Sequence, residues 1–415
     1  MSELHLLSPK GFRAGGAYAG IKTRKVNDVG VLACDTLATA AAAFTTNKVF
    51  AAPIAVGRQH AADGKLRGLV INSGNANACT GKRGLQDANE MCALAAAQLK
   101  CKPADILPGS TGIIGHHLPM AKVRRGIVEA SQNLGNSSEH SIAFNDAILT
   151  TDTRRKFAAA RLKLGKQTIT LTGICKGAGM IGPRLALAQA RRSGGVKPQG
   201  RHATMLAYIL TDAQVSAPAL RKLLQPAVNK SFNSVTIDDH TSTNDTAVLL
   251  ASGASSGKIN TIAAAKAFLE ALTELCQSLA QQIAADGEGA TKVVRIDVTR
   301  AKTDRDADLI SRSIANSPLV KCAMHGNDPN WGRIVSAAGM CGASFDPDRA
   351  TLTLQGVEVF RRGQPVPFDP ATVSELLAAK EVVVKLDCGH GKSSHTLWTC
   401  DLSKEYVTIN ADYHT

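Results

Sequence analysis

The sequence predicts an α/β fold with strands and helices stacked in layers. Short apolar runs bounded by polar turns recur along the chain, among them GLVIN, TITLTGI and EVVVKLD, and they have the length and β-branched content of strands. Other segments repeat their apolar residues every three or four positions, most clearly Ala263 to Ala285. Aromatics make up only 4% of the 415 residues while Ala, Gly and Thr abound, which suits closely packed layers better than a ligand-stacking surface.

Taken in order, Met1 to Ile71 reads as strands, including VGVLACDTLATAAAAFTTN and IAVGRQHAADGKLRGLVIN, although the alanine-rich part fits either state. NSGNANACTG, at Asn72 to Gly81, is a loop leading into a helix that ends near Lys100. It fails the G-x-x-x-x-G-K-[ST] spacing, so it is a structural turn or an anion-binding loop at a helix N-terminus. LPGSTGIIGHH follows, with Ser110-Thr111-Gly112 read by itself as a turn, and then a helix from Met120 to Leu134. Asp152 and Arg154 to Lys156 read as turn residues and a solvated basic face, and Phe157 to Ile174 as a hairpin around Leu164 to Gln167.

In the second half a helix is predicted from Ala217 to Ser231, then a short strand and polar loop in SVTIDDHTSTNDT. Its aspartates, Asp238, Asp239 and Asp245, are read as hydrogen-bonding turn residues rather than metal ligands. The helix at 263–285 carries Phe268, Leu272, Leu275, Leu279 and Ile283, and Gly287 stops it. Asp304, Asp306 and Asp308 mimic a calcium loop, but Leu309 stands at its glycine position, so they open a helix through LISRSIANS instead. HGNDPNWGRI, at His325 to Ile334, is dense in polar residues and receives no catalytic role. CGHGKSS reads as a turn between strands, and the tail as a strand, YVTIN, running into ADYHT.

Composition excludes several classes. No apolar run reaches the ~18 residues of a membrane-spanning helix. The first twenty residues lack a basic stretch followed by an apolar one, so no secretory signal is read and a cytoplasmic location is expected. Ten cysteines are scattered without a CxxC pair, and adjacent His116 and His117 aim poorly at one ion, so reduced thiols and no metal are expected. The net charge of +14 is uneven: residues 1–203 carry 28 Lys and Arg against 11 Asp and Glu, while residues 204–415 carry 20 against 23. No basic stripe with stacking aromatics marks a nucleic-acid surface, and a basic half suits small anionic substrates.

The stretch at 201–212, RHATMLAYILTD, carries the chemistry. It follows the glycine-rich bend GICKGAGMIGP, at Gly173 to Pro183, and passes through Ala203-Thr204 into an apolar strand. This arrangement suggests a chain that cuts itself before Thr204. A threonine hydroxyl is a weak nucleophile, but at a new N-terminus the residue's own α-amine, titrating at about 7.7–8.0, can take its proton. An Ala-Thr pair alone is common, and other motifs decide. KGAGMI, HATML, SFNSVTIDDHTSTND, NSGNANACTG, STGIIG, DGEGATK, HGNDPNWGRI and INADYHT resemble, in order and over nearly the whole chain, the glutamate N-acetyltransferases, also called ornithine acetyltransferases.

The resemblance implies layered mixed sheets with helices, in the self-processing, N-terminal-nucleophile-like architecture of the DmpA and ornithine acetyltransferase type. It implies cleavage between Ala203 and Thr204 into chains of 1–203 and 204–415, the latter with a C-terminal lobe from about 295, and two copies of each fragment in the assembly. Thr204 becomes the nucleophile, and Thr111 and Gly112 the oxyanion hole. Thr150 (or Thr151), Lys176, Thr204, Glu288, Asn410 and Thr415 become substrate contacts. The implied reaction moves acetyl from N-acetylornithine through acetyl-Thr204 to glutamate. No cofactor is implied; acetyl-coenzyme A is an alternative donor for some members and stays open here. Two features depart from the family: nineteen residues, Arg184 to His202, stand between Pro183 and Ala203, and His414 replaces the usual arginine. The rival readings are a self-cleaving amidohydrolase or aminopeptidase of the same fold, and an uncut, non-catalytic binding protein.

Overall fold

The computed structural model describes residues 3–187 and 204–412. Its backbone contacts divide it into two units, Met1–Asn233 with Thr241–Leu279, and Ser234–His240 with Ala280–Thr415.

The first unit is a mixed sheet flanked by helices. Its strands are β1 (Phe12–Ala17), β2 (Val29–Thr45), β3 (Lys65–Asn75), β4 (Ile106–Ile113), β5 (Lys156–Leu164), β6 (Gln167–Lys176), β7 (Leu185–Leu187), β8 (Leu206–Thr211) and β9 (Thr246–Ala251). The order is β4-β3-β2-β9-β8-β6-β5, with β1 and β7 also paired to β2. The helices are α1 (Ala52–His60), α2 (Gly81–Leu99), α3 (Met120–Gln132), α4 (Ser138–Ile148), α5 (Ala217–Asn229) and α6 (Ile262–Ala285), the last running on past the unit's end at Leu279.

Both faces of this sheet are covered. Leu69 and Ile71 of β3 join a core with Leu32, Phe44, Tyr208 and Leu250, while Val70 between them joins another with Val31, Met91, Val123 and Ile127. That is why the central strands read as continuous apolar runs rather than as alternating ones. The alanine-rich segment is strand, within β2 of seventeen residues, whose small side chains pair with β9 from Thr39 to Phe44. IAVGRQH, expected as strand, is helix α1: Pro53 sits in its first turn, and Ile54 and Val56 are buried. Ser110-Thr111-Gly112 is not a turn but part of β4, paired in parallel with β3. Within the segment from Arg184 to His202, Leu185–Leu187 forms strand β7; its residues from 188 on lie outside the described residues.

The second unit holds a six-stranded sheet of order β13-β12-β11-β14-β10-β15. These are β10 (Val293–Ala301), β11 (Thr351–Leu354), β12 (Val357–Arg361), β13 (Gln364–Pro365), β14 (Glu381–Asp387) and β15 (Ser393–Cys400). Its further helices are α7 (Asp304–Asn316), α8 (Pro318–His325), α9 (Trp331–Gly339), α10 (Pro370–Leu377) and α11 (Lys404–Asp412). The three aspartates do open α7: Thr303 caps it by accepting the Asp306 N–H at 3.1 Å. HGNDPNWGRI joins the end of α8 to α9, and His325 Nδ1 lies 2.7 Å from the buried Asp401 carboxylate. The tail is helix α11, not strand. Its seat is Gly289, where a Cβ would come within 2.5 Å of the Tyr406 nitrogen.

Candidate active site

β8 and β9 run parallel, so the segment entering β8 lies beside the loop entering β9. Asp245, fully buried, ties them together by accepting the Met205 N–H at 2.9 Å and the Ser242 N–H at 3.0 Å. This clasp holds Thr204, 1% exposed, with its hydroxyl 2.8 Å from that of Ser242. Ser242 Oγ also accepts the Asn244 N–H at 3.2 Å. The Asn244 amide then donates to the carbonyls of Ala76 (2.8 Å) and Ser110 (3.0 Å), which links the Thr204 loop to the strand that carries Thr111 and Gly112.

β4 presents those two residues in a specific state. Thr111 is buried, and its hydroxyl has no hydrogen-bond partner among the described residues. A buried polar atom without a partner costs roughly 1–3 kcal/mol, so a site that tolerates one has a use for it. Gly112 has φ of +129°, and a Cβ there would lie 2.3 Å from the Gly74 carbonyl carbon. Only glycine fits, and the irregular pairing of Gly74 and Asn75 with β4 marks the same spot. Ser110 Oγ donates to Asn72 Oδ1 at 2.6 Å, bracing β4 against β3.

A second cluster surrounds Asp152. Its buried carboxylate meets Lys156 Nζ at 2.7 Å and Lys176 Nζ at 3.7 Å, and accepts N–H bonds from Gly177 (2.7 Å) and Thr150 (3.2 Å). Burial by itself would raise the carboxyl pKa; the charges of Lys176 and Lys156 and the hydrogen bonds win and hold it well below the usual carboxylate range. Asp152 and Lys156 were expected on a solvated surface, and that reading is overturned, since both side chains are fully buried. The cluster places Lys176, the last residue of β6, next to Thr150 and Thr151, whose hydroxyls are buried without partners among the described residues.

Of the residues singled out from sequence, Thr204, Thr111, Gly112, Thr150 and Lys176 lie in the first unit. Glu288 and Asn410 lie in the second, joined by a hydrogen bond of 3.0 Å from the Asn410 amide to the Glu288 carboxylate. Ala203 and Thr415 fall outside the described residues. Sequence reasoning passed over Ser242, Asn244 and the buried role of Asp152. The signal was present: Ser242 to Thr246 is a polar run without an exposed residue, set directly before the all-buried β9.

A model of the ArgJ family matches residues 13–415. The chain belongs to the ArgJ family. Among ArgJ relatives, the arginine biosynthesis bifunctional protein of Symbiobacterium thermophilum is 43% identical over 412 residues, 98% of each chain. That of Rhodopirellula baltica is 41% identical over 415 residues, covering 99% of this chain and 97% of its own. A crystal structure of ArgJ from Bacillus halodurans aligns at 41% identity over 44% of this chain and 95% of its own, with a TM-score of 0.43.

Proposed function

We propose that this chain is an acetyltransferase of arginine biosynthesis that cuts itself between Ala203 and Thr204 and passes acetyl from N-acetylornithine to glutamate through Thr204. The observation that carries the reading is the buried Thr204 hydroxyl, hydrogen-bonded to Ser242 and tied through Asn244 to the strand bearing the Thr111 hydroxyl, which has no partner among the described residues. Once the bond before it is cut, the Thr204 α-amine takes the hydroxyl proton, with Ser242 as the hydroxyl through which it is relayed. Thr204 Oγ attacks the acetyl carbonyl carbon. The Thr111 hydroxyl and the Gly112 N–H stabilise the oxyanion that forms.

The C–N bond then breaks, ornithine leaves with the proton, and Thr204 holds the acetyl group as an ester. The amine of glutamate attacks that ester, N-acetylglutamate departs, and Thr204 Oγ regains its proton. Lys176 and the Thr150 or Thr151 hydroxyl serve the substrate carboxylate, while Glu288, Asn410 and Thr415 are assigned to the substrate's other polar groups. Two copies of each fragment form the assembly, no separate cofactor takes part, and acetyl-coenzyme A is a candidate second donor.

Intact-mass analysis together with ornithine release tests this reading. Two fragments and glutamate-dependent release are expected. Equal release in buffer alone would instead make the protein a hydrolase, and a single uncut chain with full activity would remove Thr204 from the chemistry.

A further inference from the structure

Lys22 belongs to none of the motifs above, yet its place in the first unit is fixed from both ends. Its backbone N–H donates to the Asp28 carboxylate at 3.1 Å, which also accepts from Ala19 and Ile21 at 2.6 Å each. Its Cγ lies 3.0 Å from where a Cβ on Gly74 would stand, and Gly74 is the β3 residue paired with Gly112. Its ammonium donates to the carbonyls of Asp146 (3.2 Å) and Leu149 (3.1 Å), in the last turn of α4 and immediately before Thr150. The side chain therefore runs from the ladder carrying Gly112 to the segment carrying Thr150.

Capping α4 accounts for only part of this. A lysine that caps a helix C-terminus usually does so from solvent. Here burial lowers the ammonium pKa to about 8, with Asp28, Asp146 and Asp152 raising it and Lys176 lowering it further. The three carboxylates around it are shared: Asp146 binds Arg155, Asp152 serves both Lys156 and Lys176, and Asp28, whose charge acts on Lys22, accepts three backbone N–H bonds. Both of these acceptors are neutral carbonyls, and an ammonium has a third N–H to give. Among the described residues, four cations here (Lys22, Arg155, Lys156 and Lys176) face three carboxylates (Asp28, Asp146 and Asp152), and a substrate carboxylate would supply the fourth.

We infer that Lys22 is a second carboxylate-binding residue of the transfer site, its ammonium holding, with Lys176, the α-carboxylate that N-acetylornithine and glutamate share. This rests on the acetyl-transfer reading above. Lys22→Gln keeps two N–H donors for the α4 carbonyls and deletes the charge, whereas Lys22→Arg keeps the charge. In steady-state kinetics of the self-processed protein, Lys22→Gln should raise KM for N-acetylornithine about tenfold or more with kcat within about twofold, and Lys22→Arg should recover most of the loss. Titration calorimetry supplies a readout independent of turnover. Ornithine should bind Lys22→Gln about tenfold more weakly than it binds wild type, while 1,4-diaminobutane, the same molecule without its carboxylate, should bind both alike.

An unchanged KM, or equal weakening of both ligands, overturns the inference and leaves Lys22 as a cap on α4. Wild-type protein that binds ornithine but transfers no acetyl would overturn the acetyl-transfer reading instead, with the calorimetry still deciding Lys22.

Discussion

Thr204 and Ser242 share one hydrogen bond of 2.8 Å, but losing either hydroxyl should have different consequences. Thr204→Ala removes the proposed nucleophile and should leave an uncut, inactive chain on intact-mass analysis. Ser242→Ala removes the proposed relay and the acceptor of the Asn244 N–H but keeps Thr204, so cut protein should still form slowly and acetylation in single turnover should fall about a hundredfold. At Asp152 the effect falls on stability first. Asp152→Asn leaves two buried lysines facing a neutral group, and breaking such a pair costs about 3–5 kcal/mol, readable in urea unfolding. Because the folded carboxyl titrates below its unfolded value, its contribution is fully present above the unfolded pKa of about 3.9 and is lost as pH falls below that. Wild type should therefore lose stability more steeply than Asp152→Asn between about pH 4 and 2. Neither Ser242 nor Asp152 stood out in the sequence. Serine and aspartate look alike in a solvated turn and in a buried clasp, and only the strands that close over them distinguish the two.

Strands and helices were legible where burial is regular. EVVVKLD coincides with β14, because Val382, Val384 and Leu386 alternate inward against a one-sided core. The tail misled for the opposite reason. YVTIN is rich in β-branched residues, but Tyr406 is tied to Asp238 at 3.2 Å and Ser403 to the Gly289 carbonyl at 2.6 Å, and these contacts set a helix that local preference would not choose. β4 offers a test of how far one element depends on a missing side chain. Gly112→Ala meets both an unfavourable φ and the backbone of β3, so the ladder must shift, with a loss of about 1–3 kcal/mol and of transfer activity. Gly115→Ala has a comparable φ of +89° but open space around it. It should cost only about 1 kcal/mol in thermal unfolding and leave turnover nearly intact. Equal losses from the two substitutions would mean that contact with β3 does not govern Gly112.

Across the whole molecule, the proposed cut falls in a sheet that interleaves the two fragments. β8 and β9, from the fragment beginning at Thr204, lie side by side between strands of the other fragment. β9 pairs with β2 from Thr39 to Phe44, and β8 pairs with β6 from Leu171 to Lys176. All twelve residues of β8 and β9 are buried. Separating the fragments would thus open two ladders and expose both strands, whereas the opposite charges of the two pieces add an attraction that salt screens, with a Debye length of about 3 Å at 1 M. Cut protein should elute as one species from gel filtration in 1 M salt and come apart only in denaturant. Release of the 1–203 fragment by salt alone would mean that charge, rather than the shared sheet, holds the processed enzyme together. The sequence shows the charge difference plainly, but the interleaving depends on strand order, which no run of residues encodes locally.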